Sequence, residues 1–190
     1  MENLIEYLLQ YRQLNSQQIA LIKNAVKVID LEVNAYFLEA GRIANQIAFV
    51  EKGILRVCYY NKKGEEITRY FIDENNFAVD LNSYKLQIPS SEYIQAVIPT
   101  RLYVFQRNDL NNLSLTIVGW DQLISQITNK ALMEKVNRIS PMIAENAKTR
   151  YFEFHKRFPN LINRIPLNYL ASYIGITKNS LSRIRKEITK

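Results

Sequence analysis

The stretch ITKNSLSRIRK, residues 176–186, sets Lys178, Asn179, Ser182 and Arg183 within two helical turns of one another. These side chains share a chemistry. An arginine fork pairs with O6 and N7 of guanine, an asparagine amide pairs with adenine, and a serine hydroxyl suits either, all from the major groove of a duplex. Thr177, just before them, is a good helix N-cap whose hydroxyl can share its donors with a backbone phosphate. The candidate DNA-contacting set is Thr177, Lys178, Asn179, Ser180, Ser182, Arg183, Arg185 and Lys186. Within it Arg185 and Lys186, like Lys148, Arg150, Lys156 and Arg157 outside it, stand to meet phosphates or only solvent.

Such a face works only if the chain holds it away from the body of the protein. Counting from Leu167, apolar residues fall at positions 1, 4, 8, 10, 15 and 18 (Leu167, Leu170, Ile174, Ile176, Leu181, Ile184), with small Ala171 at 5 and Gly175 at 9. This predicts a helix-turn-helix. Ala171 leaves room for the second helix to cross, Gly175 supplies the positive φ of a short turn, and the apolar positions seal the corner. A helical hairpin around a glycine is common in all-α domains, so the spacing alone does not decide between packing and DNA binding.

Charge decides it. The chain carries 25 Lys+Arg and 18 Asp+Glu, a net charge of +7. Residues 1–139 hold 15 basic and 15 acidic side chains while residues 140–190 hold 10 and 3, so the whole excess lies in the last quarter. That quarter is rich in Leu, Ile, Tyr and Phe at helical spacing, which describes a folded basic module rather than a solvated tail.

Other chemistries find little support. The only cysteine, Cys58, lies in an apolar alternation that reads as buried and structural, and one cysteine holds neither a disulfide nor a metal cluster. The only histidine, His155, has no partner of its kind and reads as a surface or packing residue. Asp73-Glu74 and Glu65-Glu66 read as exposed turn and strand-edge charges rather than a catalytic pair, so no enzyme is expected. The amino terminus carries acids where a signal peptide carries basic residues, and no apolar run reaches the length of a membrane span, which predicts a soluble cytoplasmic protein.

Residues 1–28 read as helix in two pieces, and residues 32–105 as short β runs: AYFLEAG, IAFVEKG, ILRVCYY, EITRYFI, YIQAVI and RLYVF. NKKG between the third and fourth marks a hairpin, with Gly64 taking the positive φ of the turn. Beyond residue 107 the helical period returns. Ile117, Ile124 and Ala131, and likewise Trp120 and Ile127, recur every seven residues. That seam either packs on its own β domain or pairs with a second copy, and a long helix between two domains favours self-pairing. Ser140-Pro141 is the expected hinge.

Taken together, AYFLEAG, IAFVEKGILRVCYYNKKGEEI, FIDENNF and the terminal IPLNYLASYIGITKNSLSRIRK resemble the Crp/Fnr family of bacterial transcription regulators over nearly the whole chain. The resemblance implies an α+β fold. Its parts are an N-terminal β jelly-roll sensor of the cyclic-nucleotide-binding kind (residues 1–113), a dimerisation helix (114–139) and an all-α helix-turn-helix domain (140–190) without a full wing. It implies a homodimer built on Ile117, Trp120, Ile124, Ile127 and Ala131, a palindromic double-stranded DNA site, and RNA polymerase as a further contact. An effector pocket falls to Phe77, Val79, Asp80, Ser90, Ser91 and Tyr93.

The chain also departs from the family. Where cyclic-nucleotide binders carry Gly-Glu and Arg-Ser or Arg-Thr, the corresponding places in this sequence are Phe77-Ala78-Val79-Asp80 and Ser90-Ser91-Glu92, with Glu92 near where the cation would stand. The cation that would pair with a cyclic phosphate is missing, so cAMP is not the expected effector and no cofactor is named. The alternative to a DNA-binding regulator is a ligand-binding sensor module without specific DNA binding.

Overall fold

The computed structural model describes residues 1–139 and 145–188. Helix α1 (Glu2–Leu9) buries Leu4, Ile5 and Leu8, and α2 (Ser16–Ala25) starts at a capping box in which Asn15 and Gln18 satisfy each other's backbone N–H groups. Eight strands follow: β1 (Val26–Leu31), β2 (Tyr36–Leu38), β3 (Gln46–Lys52), β4 (Leu55–Tyr60), β5 (Glu66–Ile72), β6 (Phe77–Ala78), β7 (Tyr93–Ala96) and β8 (Thr100–Gln106). A short helix, α3 (Leu81–Leu86), sits between β6 and β7. All pairings are antiparallel, in two sheets ordered β1-β8-β3-β6 and β2-β7-β4-β5.

The two sheets enclose Ala48, Val50, Leu55, Val57, Leu102 and Val104, all at most 1% exposed. On β3 and β8 the alternate residues Phe49, Tyr103 and Phe105 are also buried, in a second core that faces helices instead. IAFV, residues 47–50, is therefore an unbroken apolar run because both faces of its sheet are covered. The cover comes from α1, from α4 (Arg107–Thr116) and from the start of α5 (Trp120–Ile139).

The six β runs read from the sequence are β2, β3, β4, β5, β7 and β8. Three features differ. Residues 26–31 form β1, pairing along β8, where the sequence reading continued a helix to residue 28; the β-branched pair Val26 and Val28 favours the extended form. The long helix is broken, with α4 ending at Thr116, and the chain turns through Gly119 before α5 begins. The seam residues Ile117, Trp120 and Ile127 are 1%, 2% and 5% exposed, buried with Leu4, Leu8, Phe49 and Tyr103. Ile117, Trp120 and Ile127 thus pack on the protein's own β domain, since α1 and the outer face of β3 and β8 supply apolar cover, while Ile124 is half-buried and Ala131 is exposed. Ser140-Pro141 lies outside the described residues.

Three helices close the chain: α6 (Ala147–Arg157), α7 (Leu167–Ile174) and α8 (Lys178–Ile188). Phe154 and Tyr173 pack their rings on each other and on Phe71 of β5, at centroid distances of 5.2 to 6.1 Å. The last module is thus seated on the outer side of the second sheet.

Candidate nucleic-acid interface and sensor cavity

Helix α7 ends as the spacing predicts. Gly175 takes φ +78°, its N–H bonds the carbonyl of Ser172, and the N–H of Ile176 bonds that of Ala171, the paired closure of a Schellman motif. The chain then turns into α8 with Thr177 as its cap, whose Oγ1 accepts the N–H of Ser180 at 3.2 Å and lies 2.9 Å from the Ser180 hydroxyl. Leu170, Ala171, Ile174 and Leu181 are at most 2% exposed and form the corner. Opposite them Lys178, Asn179, Arg183 and Lys186 are exposed, and Asn179, Arg183 and Lys186 fall on one helical stripe at spacings of four and three. Ser182 is half-buried on the shoulder of that stripe, and Thr177 and Ser180 are exposed at its start.

Arg185 is placed differently. It turns inward, donating from Nη2 to the carbonyl of Ile162 at 2.9 Å with its guanidinium 5.7 Å from the Tyr151 ring centre, so it ties α8 to the rest of its module. Of the other basic residues, Lys148 pairs with Glu187 at 3.5 Å across an exposed surface.

Helix α7 also holds the module on the sheet. The Ser172 hydroxyl accepts the N–H of Thr68 at 2.9 Å and donates to the carbonyl of Glu66 at 3.1 Å, bonding the outer edge of β5 as a neighbouring strand would. The Tyr169 hydroxyl donates to Asn34 Oδ1 at 2.8 Å, and its ring lies 3.7 Å from the guanidinium of Arg56. Arg56 is 1% exposed and is satisfied by Gln95, Glu66 and Thr68. Nearby, Arg164 grips Glu74 with two hydrogen bonds of 2.9 and 2.5 Å, while Glu74 also accepts the N–H of Gly53. Burial pushes the Glu74 carboxyl up, but the Arg164 guanidinium and the Gly53 N–H outweigh it and hold the group below the usual glutamate range. Glu66 and Glu74 are thus working anchors rather than plain exposed charges. Sequence reasoning missed them because their partners are 10 and 90 residues away.

A cavity of about 550 Å³ lies between the β domain and α5. Phe77, Val79, Asp80 and Ser91 line it. Ser90 stands behind its wall, 4% exposed, with its hydroxyl 2.7 Å from Asp80 Oδ2. Tyr93 is not among the lining residues; it packs against the rings of Tyr36 and Tyr60, because alternation along β7 sends its side chain elsewhere. Four of the five residues expected in a dimer seam, Trp120, Ile124, Ile127 and Ala131, form part of the wall. Arg69 and Glu92 form an ion pair at its rim. Tyr7 of α1 completes the wall with no signal in its local sequence, since its place depends on α1 folding back over β3.

Cys58 is buried, and burial pushes its thiol up to about 11, far from a reactive thiolate. Among the described residues no group of three or more His, Cys, Asp or Glu could hold a metal ion, and no helix is long and apolar enough to cross a membrane.

No family model and no curated protein matches the chain. Solved structures do. The chain is similar to FixK2 from Bradyrhizobium japonicum, with a TM-score of 0.71 at 13% identity over 86% of this chain and 84% of that one. It is similar to CLP of Xanthomonas campestris, described as a c-di-GMP responsive global regulator, with a TM-score of 0.73 at 11% identity over 92% of each chain. A third likeness is to a transcriptional regulator of the Crp/Fnr family from Eubacterium rectale, with a TM-score of 0.68 at 14% identity over 93% of this chain and 84% of that one. The β roll, the helices that follow it and the terminal helix-turn-helix together make the fold that these solved structures share.

Proposed function

We propose that this chain is a sequence-specific, double-stranded-DNA-binding transcription regulator, a non-enzyme of the cytoplasm that acts as a homodimer on a palindromic site. The observation that carries the reading is the two-sidedness of α8. Leu181 is fully buried in the corner with α7, while Asn179, Arg183 and Lys186 share the outward stripe, with Lys178 exposed at the helix start. A short helix that spends its apolar side on a corner and offers amide and guanidinium groups outward has the composition of a major-groove reader. Thr177 and the N-terminal turn of α8 add a place for one backbone phosphate. RNA polymerase remains a proposed further contact.

A second copy would meet the outward side of α5, where Met133 is 64% exposed, rather than the buried Ile117, Trp120 and Ile127. Two copies would then present two α8 helices to successive turns of a duplex.

The test is selection from random-sequence duplexes. Retention of an inverted repeat supports the reading, and a pool that stays unstructured refutes it. A salt titration gives a second readout, since neutralised phosphates make log K fall with log salt.

A further inference from the structure

We propose that the cavity beside α5 takes an uncharged, mainly apolar small molecule bearing a hydrogen-bond-donating group, and rejects anions. That this molecule is an effector rests on the regulator reading; that the cavity binds it does not.

The volume of about 550 Å³ is that of a small-molecule site. Its ionisable lining balances, with Arg69, Lys130 and Lys135 against Asp80, Glu92 and Glu134, and so offers no net attraction to a charged ligand. At the end where a phosphate would have to sit, the fixed groups are carboxylates. Asp80 is held by the N–H groups of Asn82 and Ser83 and by the Ser90 hydroxyl. Glu92 has a side chain only 10% exposed and is paired with Arg69. An anion drawn to Arg69 would have to share that guanidinium with Glu92 and lie beside a carboxylate whose side chain is only 10% exposed, an unfavourable like-charge contact. The other two cations are spoken for on the α5 side. Lys135 sits over the Tyr70 ring at 5.0 Å, and Lys130 lies 5.6 Å from the ring centres of Tyr7 and Tyr11.

The walls supply the rest of the selection. Phe77, Phe105, Trp120 and Ile127 favour an apolar or aromatic body, and the carboxylate oxygens of Asp80 and Glu92 accept from a hydroxyl, amide or amine on its head. Because Trp120, Ile124 and Ile127 belong to or flank the buried side of α5, an occupant touches the helix that leads toward the DNA-binding module.

The experiment uses a matched pair of probes, N-phenyl-1-naphthylamine and 8-anilino-1-naphthalenesulfonate, which share a skeleton and differ by one sulfonate. Trp120 is the only tryptophan and lines the cavity, so energy transfer from it reports occupancy. The neutral amine should bind saturably at a single site, the sulfonate should bind at least about tenfold more weakly, and cAMP should not displace the amine. Ile124→Phe, which fills the cavity from α5, should weaken the amine by a similar factor while a thermal melt shows the fold intact; Thr128→Phe serves if that variant does not fold. Equal or tighter binding of the sulfonate, displacement by cAMP, or indifference to the filling variants each overturns the proposal. No DNA enters the assay, so an unselective duplex pool and an unoccupied cavity are separate failures.

Discussion

Replacing Arg56 by methionine tests how the helix-turn-helix module is held on the sheet. Arg56 donates to Gln95 Oε1 at 2.8 Å, to Glu66 Oε1 at 2.6 Å and to Thr68 Oγ1 at 3.2 Å, with the Tyr169 ring 3.7 Å away. Methionine keeps much of the stem but leaves Gln95 and Thr68, 5% and 2% exposed, with buried oxygens that have lost a donor. Each such loss costs about 1–3 kcal/mol. Glu66, with a side chain 29% exposed, can turn partly to water, and the guanidinium no longer has to be desolvated, which offsets part of the loss. The net destabilisation should be about 3–5 kcal/mol, as for a buried pair stripped of one partner. The contribution across the module boundary is smaller and can be isolated. A guanidinium stacked on a partly buried ring is worth about 0.5–2 kcal/mol. Urea unfolding of the native protein, Arg56→Met, Tyr169→Leu and the double variant, followed by Trp120 emission, should therefore return a coupling energy near 1 kcal/mol. A coupling indistinguishable from zero would refute the claim that α7 docks through this stack, whatever the single variants cost.

The two arginines of α8 should separate cleanly. Arg183→Ala should lose about 1–3 kcal/mol of discrimination at one base position with little change in melting temperature, whereas Arg185→Ala should lower the melting temperature and leave the selected site unchanged; the reverse pattern in duplex selection and thermal melts would reassign the recognition face. Gly175→Ala, which forces a side chain into positive φ, should cost about 1–2 kcal/mol in urea unfolding, and a neutral result would mean that the turn is not the one described. Because the Glu74 carboxyl is held below its ordinary range, its contribution is fully present above the unfolded glutamate pKa of about 4.3 and is lost as pH falls through the lower folded value. The stability gap between the native protein and Glu74→Gln should accordingly narrow on acidification through that window, and a gap that widens would contradict the Arg164 pairing.

What could be read in advance followed from local rules. The β runs announce themselves by alternation and turn residues, and the terminal corner by Ala171, Gly175 and the apolar positions around them. What could not be read depended on distant neighbours. Ile117, Trp120 and Ile127 have the period of a self-pairing seam, and only the return of α1 over Phe49 and Tyr103 gives them an intramolecular partner. Arg185 has the same local signature as Arg183, and its inward turn depends on the carbonyl of Ile162. The cavity drew Phe77, Val79, Asp80 and Ser91 from the reading by resemblance, but Tyr7, Arg69 and Lys135 come from three other elements. No spacing rule links them.

Ser172 carries a liability as well as a bond. By bridging Thr68 and Glu66 it blocks the outer margin of β5, which would otherwise be an open template for a strand from another molecule. Any motion that swings α7 clear of the roll uncovers that margin, so release of the module is coupled to a hazard of self-association. Conditions that favour release should leave the sample prone to turbidity, and crowding should make that worse.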